Sequence, residues 1–269
     1  MRSMRLHALG EPLRLDEVPP PQPGPGQALL RVRACGVNFA DTLMVKGTYQ
    51  EKPALPFAPG LEVGGEVIAV GAGVDLAVGT RVAATTGHGG MAEQALAPAA
   101  ACTPIPDAMP FVDAAALPVA YGTSQVALDY KAGLEPGERL LVLGAAGGVG
   151  LTAVEIGNLM GAEVIACARG AEKLAVAKAK GADHLIDAEA GPDALREQVK
   201  ALGGADVVYD PVGGAFWKAA LRAANPEARL LPLGFASGEV PQIPANILLV
   251  KNLTVIGFYW GSYYKVKPS

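Results

Sequence analysis

Apolar positions follow two different patterns along the chain. Between residues 13 and 110 they form short runs, such as Ala28–Ala34, Val63–Val70 and Thr80–Ala84, with glycine and proline between many of them. Short β-like runs divided by turn residues are typical of antiparallel sheets and barrels. The first 120 residues are therefore predicted to fold as a mostly antiparallel, barrel-like domain.

From about Ala120 onward, short apolar runs alternate with helical segments. The predicted elements are, in order, strand Arg139–Leu143, helix Val149–Met160, strand Glu163–Ala168, helix Ala171–Lys180, strand His184–Asp187, helix Asp193–Leu202, strand Ala205–Asp210, helix Ala215–Ala224, strand Ala228–Leu233 and strand Leu253–Phe258. Strands that alternate with helices of about ten residues indicate a parallel sheet with helices on both faces. The sequence thus predicts an α/β fold with a doubly wound parallel sheet.

A glycine-rich turn joins the first of these strands to the first helix. It begins at Gly144 and continues through Gly147, Gly148, Val149 and Gly150. Glycine lets the backbone approach a pyrophosphate closely, and free N–H groups at a helix start attract phosphate charge. A tight turn without a ligand is the alternative, but the surrounding strand–helix alternation favours a dinucleotide site.

The end of the second predicted strand bears on which dinucleotide is bound. NAD-binding proteins usually place Asp or Glu there, where it bonds the ribose 2′-hydroxyl. This strand instead ends in Ala168-Arg169-Gly170, and Lys173 follows one turn into the helix. Because an Arg side chain suits phosphate through its planar donor fork, Arg169 and Lys173 favour NADPH. Two solvated side chains at a helix start are the alternative.

Composition and charge exclude several other classes of protein. The net charge of −4 is the opposite of the basic balance that nucleic acids and anionic membranes attract. No apolar run is long enough to span a bilayer, and the first residues do not form a signal-peptide pattern, so we expect a cytoplasmic protein. The three cysteines and three histidines are scattered without metal-ligand spacing, and no metal site is expected.

Six motifs along the chain carry a resemblance to a known family. They are Gly36-Val-Asn38-Phe-Ala-Asp41, Pro59-Gly60-Leu61-Glu62-Val-Gly-Gly-Glu66-Val, Pro118-Val-Ala-Tyr121-Gly-Thr123-Ser, Ala145-Ala-Gly-Gly-Val-Gly150, Val208-Tyr-Asp210-Pro-Val-Gly213-Gly214 and Gly234-Phe235-Ala-Ser237-Gly238-Glu239. In this order and spacing they resemble the zinc-independent quinone oxidoreductases of the medium-chain dehydrogenase/reductase superfamily. The resemblance implies a GroES-like catalytic domain over residues 1–120 and a Rossmann domain over residues 121–260. It also implies that residues 261–269 start a return to the catalytic domain, the rest of which is missing.

The resemblance also implies chemistry without a metal. Zinc alcohol dehydrogenases of the superfamily carry Cys where this chain has Asn38 and His where it has Leu61, and neither replacement is a usual zinc ligand. The remaining carboxylate, Glu62, does not make a tetrahedral site. A quinone or a conjugated carbonyl is already electrophilic and needs mainly orientation and a proton. Hydride transfer from NADPH to such an acceptor is therefore the expected reaction.

Particular site residues follow from the same resemblance. Residues expected near the nicotinamide and substrate are Asn38, Asp41 and Tyr49, and those expected along the cofactor are Thr123, Phe235, Ser237 and Phe258, in addition to the glycine turn and the two cations. The alternatives for the first three are a turn-forming Asn, a helix-start Asp and a half-buried Tyr. No general acid stands out, so the source of the proton is left open.

Two other functions fit the same pattern. One is an enoyl-thioester (CoA) reductase, and the other is an NADPH-binding structural or sensing protein with little turnover. The last predicted strand, Leu253–Phe258, would form an unpaired sheet edge, and we expect a homodimer through it. The substrate is expected to be a small quinone or enone, whose identity depends on loop shapes that the sequence does not reveal.

Overall fold

Antiparallel strands dominate the chain up to Val119 in this computed structural model, which describes residues 1–263. The elements are β1 (Arg2–Arg5), β2 (Arg14–Glu17), β3 (Gln27–Gly36), α1 (Phe39–Val45), β4 (Glu62–Val70), β5 (Arg81–Thr85), β6 (Gln94–Pro98), β7 (Cys102–Pro104) and α2 (Phe111–Ala116). Five strands form one sheet in the order β6-β3-β4-β5-β7, and β1 pairs with β2. This arrangement confirms the predicted mostly-β, GroES-like fold.

Alternating side chains explain why β3 and β4 pair as they do. Ala28 and Leu30 on β3 are buried together with Val63 and Val67 on β4, and the two strands are antiparallel. Residues two apart on a strand point to the same face, so this register buries one apolar face of the sheet.

Strands and helices alternate in the second part of the chain. Its elements are α3 (Gly122–Gln125), β8 (Arg139–Leu143), α4 (Gly148–Leu159), β9 (Glu163–Ala168), α5 (Ala171–Ala179), β10 (His184–Asp187), α6 (Gly191–Ala201), β11 (Ala205–Asp210), α7 (Gly214–Ala223), β12 (Ala224–Pro232), α8 (Ala245–Lys251) and β13 (Thr254–Val255). These strands form a parallel sheet in the order β10-β9-β8-β11-β12-β13. The predicted doubly wound sheet is thus confirmed, and β8 to β11 have the predicted bounds.

Two apolar clusters cover the two faces of this sheet. Leu140 and Val142 of β8 belong to one cluster, and Leu141 and Leu143 belong to the other. A strand buried on both faces has no polar side, which is why β8 reads as a continuous apolar run.

The last two strands differ from the prediction. β12 starts at Ala224 rather than Ala228, because an irregular register carries its pairing with β11 back to Ala205. β13 covers Thr254–Val255 rather than Leu253–Phe258. The ladder stops early because β12 ends at Pro232, which has no backbone N–H to donate to the next residues of the run. The predicted sixth strand was therefore too long.

The chain divides into two compact units. One consists of Met1–Val119 and the segment that begins at Gly261, and the other is Ala120–Trp260. Part of the predicted return segment, residues 264–269, lies outside the described residues.

Candidate functional site

The glycine turn lies where the order of the parallel sheet reverses. β8 is followed along the chain by its neighbour β9, while its other neighbour, β11, comes later. In open α/β sheets, ligands bind outside the carboxyl ends of strands at such a reversal point. The turn between β8 and α4 therefore occupies the position expected for a ligand site.

Three glycines of the turn differ in their surroundings. Gly144 has a φ of +61°, a conformation that side chains disfavour. A Cβ at Gly150 would overlap the carbonyl oxygen of Gly144, so only glycine lets α4 start this close to β8. A Cβ at Gly148 would have no atom within 4 Å. Gly148 begins α4 and thus leaves open space over its first turn.

Three buried hydroxyl groups connect α4 to the elements that it packs against. The Ser124 Oγ lies 2.7 Å from the Thr152 Oγ1 and 2.8 Å from the Tyr209 hydroxyl, and it donates to the Val149 carbonyl at 2.9 Å. These bonds join α3, α4 and β11, because each element contributes one hydroxyl. Buried polar networks of this kind fix the relative positions of the elements that they connect.

Asp210 ends β11 and shapes the turn beside the glycine turn. Its Oδ1 accepts the N–H groups of Val212 at 2.6 Å and Gly213 at 2.9 Å, while its Oδ2 is buried and has no hydrogen-bond partner among residues 1–263. Burial raises the pKa of this carboxyl to about 6, although the two N–H groups act to lower it. The turn also packs on Gly144, since a Cβ there would lie 3.1 Å from Val212.

A second loop is bonded to this turn. The N–H of Ala236 donates to the Pro211 carbonyl at 3.1 Å, and that of Ser237 donates to the Val212 carbonyl at 2.9 Å. Phe235 is 39% exposed in this loop, although it is aromatic. The structure thus brings the predicted residues Phe235 and Ser237 to the turn that follows β11, next to the glycine turn.

The two predicted cations lie just beyond β9. Arg169 and Lys173 are both exposed, and neither takes part in a hydrogen bond or ion pair with another residue in the described part of the chain. Asp187 lies close by, but its Oδ1 accepts the N–H groups of Gly170 and Glu189. Those bonds lower the pKa of Asp187. The Asp187 carboxylate is therefore stabilised by backbone amides rather than by the two cations, and Arg169 and Lys173 can bind an anion.

The remaining predicted cofactor residues are Thr123, Val149 and Phe258. Thr123 is half-buried on α3, next to Ser124 of the hydroxyl network. Phe258 and Val149 are both half-buried against the same core cluster. They therefore stay candidate residues, with positions that also suit a structural role.

Asn38 and Asp41 meet at the start of α1. The Asp41 carboxylate accepts the Asn38 N–H at 2.8 Å through Oδ2 and the Gly60 N–H at 2.8 Å through Oδ1. Asp41 is 3% exposed, and burial raises its pKa while both N–H bonds act to lower it. The contacts of Asp41 are thus those of a helix-capping residue.

Glu62 is the second buried carboxyl of this cluster. Its Oε1 accepts the side-chain amide of Asn38 at 2.8 Å, and its Oε2 accepts the Val119 N–H at 2.8 Å. Burial raises the pKa of Glu62, and Asp41 adds to the effect, while the two hydrogen bonds act to lower it. Buried carboxyls with perturbed pKa values mark candidate functional sites.

Tyr49 and Leu61 belong to an apolar cluster in the same unit. Leu61 is buried with Met44 and Phe57, and Tyr49 packs against them while half-buried. Within residues 1–263, no three His, Cys, Asp or Glu side chains are grouped closely enough to hold a metal ion. No helix in this range is long and apolar enough to cross a membrane.

Sequence reasoning did not assign a site role to Glu62, Asp210 or the hydroxyl network. An Asp that ends a buried strand and precedes Pro211 and two glycines is a turn signal, and it could have marked Asp210. The Ser124–Tyr209 bond joins residues 85 positions apart and had no local signal.

Two family models match the chain. One, described as alcohol dehydrogenase GroES-like domain, matches residues 24–107, and the other, described as zinc-binding dehydrogenase, matches residues 148–268. A quinone oxidoreductase-like protein 2 homolog from Nematostella vectensis is 43% identical, over 99% of this chain and 74% of its own length. The chain belongs to the zinc-independent quinone oxidoreductase family of the medium-chain dehydrogenase/reductase superfamily.

Solved structures of the family agree with this fold. A mycobacterial protein solved in complex with NADPH is 32% identical with a TM-score of 0.92, over 98% of this chain and 84% of that one. The quinone oxidoreductase of Thermus thermophilus, also solved with NADPH, is 36% identical with a TM-score of 0.85, over 100% of this chain and 83% of that one. Family membership makes this chain an oxidoreductase.

Proposed function

We propose that this protein binds NADPH and catalyses metal-free hydride transfer to a quinone or another electron-poor conjugated carbonyl compound. The observation that carries the proposal is the glycine turn at the reversal point of the sheet, with Arg169 and Lys173 exposed just after the neighbouring strand. The NADPH complexes of two similar structures support the choice of cofactor.

The residues of the turn fit a pyrophosphate. Gly148 leaves the first turn of α4 open on one side, and the N–H groups at this helix start have no intrahelical acceptor. Gly148, Val149 and Gly150 would hold the phosphates by these N–H groups and by the helix dipole. Gly147 would line the same site through its backbone, while its own N–H donates to the Gly144 carbonyl at 2.9 Å. Thr123 would add a hydroxyl close to them.

The charges around β9 fit a 2′-phosphate. Arg169 would bind this phosphate through its guanidinium fork, and Lys173 would neutralise the second charge. Asp187 would repel it less than a free carboxylate does, because two backbone N–H groups already bond its Oδ1. The 2′-phosphate would therefore be recognised by charge rather than by shape.

When bound, NADPH would supply a hydride, and the acceptor would also take up one proton. A quinone would become a hydroquinone, and a conjugated carbonyl compound would be reduced at its carbon–carbon double bond. Phe235, Ser237 and Phe258 would border the nicotinamide end of the cofactor. Asn38 would hydrogen-bond the reacting partners, and Tyr49 would stack on a flat acceptor or donate to its oxygen. Asp41 would act by holding Asn38 and the start of α1 in place.

Acceptor-dependent oxidation of NADPH tests this function. The rate is measured at 340 nm with 1,4-benzoquinone, with crotonyl-CoA and without an acceptor. We expect benzoquinone to give the largest increase over the rate without acceptor. A larger increase with crotonyl-CoA would identify an enoyl-thioester reductase. If NADPH binds but no acceptor increases its oxidation, the protein binds the cofactor without significant turnover.

We also propose a homodimer through the edge of the parallel sheet. β13 pairs with β12 on one side, and the adjoining α8 carries Leu249 and Val250, which are 78% and 77% exposed. An unpaired edge beside exposed apolar side chains is a common dimer surface. A second copy related by a two-fold axis would cover both features.

A further inference from the structure

An acidic residue that follows the next strand is held beside the turn that carries Arg169. β9 and β10 are parallel, with Asp187 opposite Ala168, so both strands end at the same level of the sheet. The Asp187 Oδ1 accepts the N–H of Gly170 at 3.0 Å and that of Glu189 at 2.9 Å. Two N–H groups that donate to one oxygen lie side by side. The backbone of Glu189 is therefore held next to Gly170, one position beyond Arg169.

The Glu189 carboxylate lies beside the same turn. Gly170 has a φ of +78° and caps the start of α5, and a Cβ built on it would lie 3.8 Å from the Glu189 Oε1. Glu189 is exposed, as are Arg169 and Lys173. The surface just beyond β9 therefore offers a carboxylate as well as two cations to a ligand.

This combination of charges suits both nicotinamide dinucleotides. The guanidinium of Arg169 and the ammonium of Lys173 attract the 2′-phosphate of NADPH, whereas a carboxylate repels it. The ribose of NADH has a 2′-hydroxyl instead, and a carboxylate accepts a hydrogen bond from that hydroxyl. The usual position of such an acid is the end of the second strand, where this chain has Ala168-Arg169. Glu189 supplies the acid from the segment after β10.

We propose that Glu189 is a specificity-determining residue that bonds the ribose 2′-hydroxyl of NADH, so that the protein accepts NADH as a second cofactor beside NADPH. The inference rests on the proposed function, which places the ribose 2′ position beside Arg169. Arg169 and Lys173 keep NADPH as the tighter ligand, and Glu189 limits the difference in affinity. Asp187 is a positioning residue, because its Oδ1 holds Glu189 against the turn at Gly170.

The Kd values of NADPH and NADH, measured without an acceptor substrate, test the role of Glu189. Glu189→Ala removes both the repulsion of the 2′-phosphate and the bond to the 2′-hydroxyl. We expect this variant to bind NADPH about fivefold more tightly and NADH about threefold more weakly than wild type does. Because Glu189 is exposed, its replacement leaves the core intact. The control is Glu197→Ala, which removes an exposed carboxylate from α6 and should change neither Kd.

Variants of Asp187 test its positioning role. In Asp187→Ala, Glu189 is no longer held beside Gly170, so adding Glu189→Ala should change the ratio of the two Kd values by less than about twofold. Asp187→Asn keeps an oxygen for both N–H groups, and in this background Glu189→Ala should have its full effect. A purely structural role of Asp187 would lower the stability of the protein without changing the effect of Glu189→Ala on the ratio.

The outcomes separate this inference from the proposed function. No binding of NADPH by wild type would remove the proposed function itself. If wild type binds NADPH and Glu189→Ala leaves the ratio of the two Kd values unchanged, the role of Glu189 alone is overturned. Tighter binding of NADPH without weaker binding of NADH would overturn the bond to the 2′-hydroxyl. A full effect of Glu189→Ala in the Asp187→Ala background would overturn the positioning role of Asp187.

Discussion

The hydroxyl of Tyr209 lies 2.8 Å from the Oγ of Ser124, and this contact joins the sheet to the helix before the glycine turn. Both side chains are completely buried. A buried hydroxyl that loses its partner retains the cost of its desolvation, whereas removal of both partners avoids that cost. The pair therefore lends itself to a double-mutant cycle.

We expect Ser124→Ala to lower the free energy of unfolding by about 2 kcal/mol, because it leaves the Tyr209 hydroxyl unsatisfied. Tyr209→Phe should cost about 1 kcal/mol, since Ser124 keeps Thr152 and Val149 as partners. The double variant should lose less than the sum of both, as measured by urea unfolding. Strictly additive losses would show that the bond does not couple α3 to β11.

Glycine is required at position 150 for packing, and at position 148 the structure predicts a different role. Gly150→Ala places a methyl group on the Gly144 carbonyl, so we expect strong destabilisation or failure to fold. Gly148→Ala meets no atom within 4 Å and should fold with a melting temperature close to that of wild type. If Gly148 leaves space for a pyrophosphate, the same variant should bind NADPH at least tenfold more weakly. Wild-type affinity in Gly148→Ala would place the phosphates elsewhere.

The buried carboxyl of Asp210 predicts a pH-dependent stability. Its pKa of about 6 in the folded protein exceeds that of the unfolded chain, so folding favours the protonated form. The free energy of unfolding is therefore highest, as far as Asp210 is concerned, below about pH 4, and it falls as the pH rises through about 6. Asp210→Asn keeps an oxygen for Val212 and Gly213 but does not titrate. Relative to wild type, we expect this variant to gain up to about 3 kcal/mol between pH 4 and pH 8.

A variant of Asp187 provides a control of opposite sign. Two backbone N–H groups lower the pKa of Asp187. The ionised Asp187 therefore stabilises the fold above the unfolded-state pKa, and this stabilisation is lost as the pH falls. Asp187→Asn should therefore weaken the protein at neutral pH and come closer to wild type in acid. Parallel stability curves for wild type and Asp210→Asn would show that Asp210 does not titrate in this range.

The proposed dimer depends on the exposed face of α8 and the adjoining edge strand. We expect wild type to sediment as a species of twice the chain mass at micromolar concentration. Leu249→Lys/Val250→Lys should shift this species towards the monomer, because the two side chains are far more exposed than core residues and their replacement does not disturb the fold. A monomer mass that does not depend on concentration would contradict the dimer.

The parallel sheet was predictable because its strands have a strong local pattern. β8, β9, β10 and β11 are short, largely apolar and bounded by turn residues, and their bounds matched the prediction. The same pattern gave the wrong length for β13. An apolar run after a helix has the same sequence pattern whether all of its residues pair with the next strand or only the first few do. Ile256 and Phe258 pack against the same core cluster as residues of the longer strands, so their apolar character does not show that β13 ends at Val255.

The candidate site was only partly predictable for a similar reason. The glycine turn and the pair Arg169 and Lys173 are local in sequence, so their chemistry could be inferred from spacing alone. The bond between Asn38 and Glu62 spans 24 positions, and its polarity depends on a third group, the Val119 N–H. Such tertiary contacts leave no periodic trace in the sequence.

We propose that Arg169 and Lys173 recognise the 2′-phosphate of NADPH. The most direct measurement compares the Kd values of NADPH and NADH for wild type and for Arg169→Ala/Lys173→Ala. The control is Arg196→Ala/Lys200→Ala, which also removes one arginine and one lysine four positions apart, but from α6. We predict a loss of about thirtyfold or more for NADPH and less than about threefold for NADH in the first variant, and no change in the control. Equal losses for NADPH and NADH, or no loss for either, would contradict the assignment.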